Sequence, residues 1–159
     1  MSTERAVLFD TGDALFVIDQ FRVYPNGIEF TVNLFLRQRD SVSFFPWKLL
    51  EPHRSTGSVP DDFLRFGVQL ADGWRWSNLE WFRGMDTDEP DRVVLPLGGG
   101  GGGGRWTQRH WMWPLPPEGD LMFVSEWPAH DVPETRVSVD ATILRRRASD
   151  AVILWPDSR

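Results

Sequence analysis

Four groups of side chains in this 159-residue chain have types that could do chemistry: three histidines, an acidic stretch, a run of seven glycines and nine tryptophans. His53, His110 and His130 stand far apart, and none has the close spacing with which two imidazoles grip one metal ion. His110 is the most interesting because it lies in the Trp-rich stretch 106–113, although a strand histidine held by packing is the commoner outcome. Asp86, Asp88, Glu89 and Asp91 gather the carboxylates that a hard cation wants, but the turn glycine and distal glutamate of a calcium loop are missing, so a solvated acidic loop is the better reading. Gly98–Gly104 invites comparison with a phosphate cradle, which needs a helix N-terminus behind it and usually a Lys with Ser or Thr; here Arg105, Trp106 and a strand follow. The chain has no cysteine, which excludes disulfides, thiolate metal sites and a Cys nucleophile. It also lacks a G-x-S-x-G elbow and paired carboxylates on one strand face. No catalytic residue, metal ligand or cofactor is assigned on this basis.

What remains is aromatic. Trp81, Trp106, Trp111 and Trp113, with Arg109 and His110 beside them, are the candidate binding residues. Strand alternation puts Trp111 and Trp113 on the face opposite Trp106 and Met112, so only one of these sets can belong to an ordinary core. The other must be exposed, covered by another part of the chain, or buried by a partner. Trp rings anchor protein interfaces and also stack on sugars.

The elements that must position these residues read mainly as strands. A hairpin over Leu15–Arg37 is expected to turn at Asn26-Gly27, pairing Tyr24 with Glu29 and Val23 with Phe30. Phe21, Val23, Phe30, Val32 and Leu34 then share the buried face, with Asp19 the one misfit. Ile18 would lie opposite Phe35 in an apolar patch at the far end. A second hairpin, Phe63 to Leu79, suits a three-residue loop, Ala71–Gly73, which pairs Leu70 with Trp74 and Val68 with Trp76 and buries both rings. A third is expected to join Arg105–Trp113 to Leu121–Trp127 through the Pro-rich turn 115–119. Ala6–Phe9, Val42–Phe45, Arg92–Leu95 and Thr135–Val139 are further strands. From Asp140, an N-cap, the period becomes helical, with Leu144, Ala148, Ala151, Val152 and Trp155 on one face that could cover the Ile18 and Phe35 patch. The glycines 98–104 read as a flexible loop inside one domain spanning 1–159.

About ten short strands in so short a chain predict a mainly β fold, a two-layer antiparallel β-sandwich with one C-terminal α-helix, with a β-barrel as the alternative. A net charge of −6 argues against a nucleic-acid surface. The sequence has no apolar stretch of signal-peptide or membrane-spanning length, so a cytoplasmic protein without a membrane partner is expected. Three stretches, Tyr24 to Leu34, Phe66 to Trp74 and Gly104 to Pro128, resemble a group of actinobacterial single-domain proteins of unknown function. That resemblance implies no activity and no catalytic residues. The aromatic surplus supports a non-enzymatic binding module whose partner is another protein or a second copy of itself. A carbohydrate-binding module and a small enzyme with a pocket near His110 and the glycines stay open.

Overall fold

A computed structural model describes residues 5–37, 59–79 and 91–153. Two open antiparallel sheets face each other, and neither closes into a barrel. The first runs β1-β2-β3-β7-β6, built from β1 (Ala6–Asp10), β2 (Ala14–Tyr24), β3 (Gly27–Leu36), β6 (Val93–Gly102) and β7 (Arg105–Trp113). The second runs β5-β4-β8-β9, built from β4 (Arg65–Gln69), β5 (Arg75–Ser77), β8 (Asp120–Trp127) and β9 (Val132–Asp140). One helix, α1 (Ala141–Ser149), follows β9. Aromatic rings knit the layers together: Phe30 of the first sheet meets Phe123 of the second at 5.3 Å, and Phe16 meets Phe66 at 5.9 Å. Such edge-to-face pairs add roughly 0.5–1.5 kcal/mol each to the burial of the rings. The fold is thus a β-sandwich with a C-terminal helix.

The β2–β3 hairpin departs from its expected register. Tyr24 pairs with Gly27, so the two-residue loop is Pro25-Asn26. Gly27 is needed in the strand, because a Cβ there would stand 2.5 Å from the Trp111 ring and from the Met112 carbonyl. A bulge then shifts the pairing, with Arg22 opposite Glu29 but Asp19 opposite Thr31. Gln20 sits inside it at φ 53°, a left-handed conformation suited to a strand that must reverse its faces. The bulge removes the Asp19 misfit by turning that carboxylate outward, where it accepts from the Asn33 amide at 2.9 Å. Ala14, Phe16 and Ile18 turn inward instead and are fully or almost fully buried. Ile18 therefore opposes Val32, Phe35 pairs with Leu15, and the proposed Ile18 and Phe35 patch does not form.

The β4–β5 hairpin has the expected register, with Val68 opposite Trp76, Gln69 opposite Arg75, and Gly73 at φ 91°. Trp74 and Trp76 pack against the core but remain half-buried. The expected β7–β8 hairpin is corrected: both edges of β7 are taken by β3 and β6, so β8 has to join the other sheet. The glycines are corrected too. Gly98–Gly102 form half of β6 and pair with Arg109 through Arg105, and Gly103-Gly104, at φ 60° and 82°, make the turn into β7. Asp140 caps α1 by accepting from the Thr142 amide, and Leu144 and Ala148 are buried as expected. The helix ends at Ser149, which leaves Val152 81% exposed, and it packs on β2 and β8. Val42–Phe45 and Trp155 lie outside the described residues.

Candidate interaction face

The five-stranded sheet positions β7 between two neighbours, and alternation then divides its side chains. Trp106, Gln108, His110 and Met112 point between the sheets and are buried. Arg105, Thr107, Arg109, Trp111 and Trp113 point outward. Of the expected binding residues, the structure therefore brings Arg109, Trp111 and Trp113 together and separates them from Trp106 and His110. Trp81 lies outside the described residues, as do His53 and most of the acidic stretch.

On the inner side, the His110 ring stacks on Phe30 at 5.4 Å with 7° between the planes, and Phe66 and Trp76 present their edges to it. Burial pushes its pKa down to about 4, opposed in part by the Gln108 backbone. His110 Nδ1 and Trp106 Nε1 are both buried without a hydrogen-bond partner. A catalytic base must reach its substrate's proton, and none of the described clefts is lined by His110. Among the described residues no group of three or more His, Asp or Glu side chains is placed to hold a metal ion, and no helix is long and apolar enough to cross a membrane.

The outer side divides into two halves along the strands. Toward Leu36 it is a polar network: Thr107 donates to the Asn33 side-chain oxygen at 2.9 Å, and Arg105 lies 5.2 Å over the Phe35 ring. Toward the Pro25-Asn26 turn it is aromatic. Trp111 lies over Gly27 and meets the Tyr24 ring edge-on at 5.5 Å. Across the sheet, Leu95 pairs with Trp111 and Val93 with Trp113. Tyr24, Leu95 and Trp113 are each 41% exposed, and Leu97, in the bulge between Pro96 and Gly98, is 46% exposed. Glu29 sits below this surface with its side chain 8% exposed, held by Arg22 at 3.0 Å and Arg109 at 3.5 Å.

No family model, curated protein or solved structure matches this chain. The face continues into an open sheet edge. Gly98–Gly103 are all exposed, and β6 has no second strand neighbour among the described residues. An edge without side chains presents bare N–H and C=O groups, the template that an incoming strand uses. At its other end, Trp113 also lines a cleft of about 310 Å³ with Leu70, Trp74, Arg92, Leu115 and Arg145. Tyr24, Glu29, Leu95 and Leu97 were not among the residues expected from sequence. The signal for Leu95 and Leu97 lay in the apolar run Val93–Leu97 before the glycines, which reads equally well as a buried strand.

Proposed function

We propose that this protein is a β-sandwich that works by binding another protein, a second copy of itself included, through the outer aromatic half of its five-stranded sheet. The observation that carries this reading is the continuity of Tyr24, Trp111, Trp113, Leu95 and Leu97 with the open β6 edge. Aromatic anchors surrounded by a polar rim are the usual centre of a protein interface, and Arg22, Arg109 and Glu29 supply polar groups beside these rings. A strand added to β6 would gain backbone hydrogen bonds from the glycines and apolar contact from the two leucines.

Replacing Leu95 and Leu97 together by Ser tests the reading. Sedimentation velocity over a concentration series measures self-association, and affinity capture from the native cell measures other partners. The expected result is an association that weakens at least about tenfold in the double variant, equivalent to about 1.4 kcal/mol. A wild-type chain that stays monomeric and captures nothing sensitive to the substitution overturns the proposal.

A further inference from the structure

The outer face of the four-stranded sheet holds a separate groove of about 390 Å³. Its floor is Gly67, where the sheet has no side chain. Ser77 and Val124 flank that glycine across the strands, and Arg65 and Gln69 flank it along β4. Two of the groove's charged pairs are already engaged: Arg65 with Glu126 at 3.1 Å, and Arg136 with Glu134 at 2.6 Å. The side chains of Arg75, which lies opposite Gln69, of Gln69 itself and of Ser77 have no ion pair or hydrogen bond among the described residues. Arg65 Nε is buried and has no hydrogen-bond partner.

The accessible unused groups are dominated by donors: the Arg75 fork, the Gln69 amide and the Ser77 hydroxyl. Arg65 is shared between Glu126 and Asp61 and Arg136 is held by Glu134, which leaves Arg75 as the groove's one guanidinium without a carboxylate of its own among the described residues. We infer that this groove binds a carboxylate with neighbouring oxygen acceptors, the carboxylate seated on Arg75 and the other oxygens on Gln69 and Ser77. A guanidinium takes a carboxylate through two parallel hydrogen bonds. Glu126 and Glu134 on the rim repel a dianion, which disfavours phosphate. The size of the groove suits a small molecule or a single side chain. A free hydroxy acid and an acidic peptide side chain offer the same chemistry.

Backbone amide NMR of the intact chain separates the two sources. Gluconate and a glutamate-containing tripeptide are the probes, with sorbitol and inorganic phosphate for comparison. Saturable shifts at Gly67, Gln69 and Ser77 with gluconate alone identify a free hydroxy acid, and equal or tighter binding of the tripeptide identifies an acidic side chain. Either response should weaken about tenfold in Arg75→Gln, the loss expected for a charge-assisted pair, and also weaken in Gln69→Ala. No saturable shift, equal binding of sorbitol, tighter binding of phosphate, or binding unchanged in Arg75→Gln overturns the inference. Both substitutions replace side chains on the outer face, and unchanged amide dispersion elsewhere verifies that the fold is kept.

Discussion

The two faces of β7 carry similar side chains and meet opposite fates. Inward, Trp106, Gln108 and His110 are buried at the cost of unpartnered atoms at Trp106 Nε1 and His110 Nδ1. Outward, Trp111 is half-buried on Gly27, and Trp113 stays 41% exposed although a whole hydrophobic core lies one sheet-thickness away. Each buried polar atom left without a partner costs about 1–3 kcal/mol, so the inner face gives up stability for packing against Phe30 and Phe66. The outer face forgoes burial and leaves apolar surface to be covered. Tryptophan content alone does not distinguish these roles. Alternation does, once the strands on either side of β7 are known.

The largest expected effect comes from the strand that keeps both faces of β7 in place. Gly99 and Gly101 approach β7 so closely that a Cβ would stand 2.9 Å from Gln108 Cα and 2.8 Å from Trp106 Cα, whereas a Cβ on Gly100 would meet nothing. Gly99→Val or Gly101→Val should therefore destabilise the fold by about 3 kcal/mol, and Gly100→Val should be neutral or stabilising by about 0.5 kcal/mol. Urea unfolding of the three variants measures both signs. Equal effects at all three positions would show that the glycines are not paired as a strand.

The second effect belongs to the inner face alone. The folded pKa of His110 lies near 4 and its ordinary value is 6.5, so between these limits the unfolded chain binds the extra proton. The neutral ring's contribution is complete above pH 6.5 and is lost as the pH falls toward 4. Across that interval it amounts to about 3 kcal/mol, from about 1.4 kcal/mol per pKa unit. In His110→Phe this part of the pH dependence should vanish. At neutral pH the variant should stay within about 1 kcal/mol of wild type, because a ring still stacks on Phe30 and one unpartnered nitrogen is gone. A difference between the two chains that does not grow from pH 7 to pH 4.5 would mean that His110 is open to water.

How far these contrasts could be read from sequence depended on whether the deciding contact was local. The β4–β5 register was readable because Gly73 and the Trp74–Arg75–Trp76 alternation allow one good answer within a dozen residues. The β2–β3 register was missed by two residues because Gly27 is fixed by Trp111, far along the chain, and not by the turn. Asp19 on an apolar face was the local sign of the bulge at Gln20. The opposition of Trp106 to Trp111 and Trp113 follows from alternation, but the partners of β7 do not, so nothing local tells that β8 belongs to the other sheet. The glycines carry no signal that separates strand from loop, because a strand without side chains has no pattern. Their pairing is dictated by β7.

Smaller effects probe the outer face. Glu29→Gln removes the carboxylate between Arg22 and Arg109, whose side chains are 57% and 49% exposed and can be hydrated instead. Its cost should be about 1 kcal/mol and should shrink as salt is added, as screened pairs do. Thermal unfolding at low and high ionic strength reads this directly. A salt-independent cost would place the loss in packing under Trp111, not in charge.

The smallest effect on folding should come from Leu97→Ser. Leu97 lies in a bulge on the edge strand and is 46% exposed, so its removal from the isolated chain should change stability by no more than about 0.5 kcal/mol. On association the ranking reverses. A residue that packs little within its own chain but borders both the open β6 edge and the Leu95–Trp111–Trp113 surface has most of its contacts still to make. The variant should melt with wild type and yet weaken the association measured by sedimentation or capture. His110→Phe, acting from the inner face, should leave that association intact. If the two substitutions moved both quantities in parallel, the faces of β7 would not be independent, and the outer surface would be part of what holds the sandwich together.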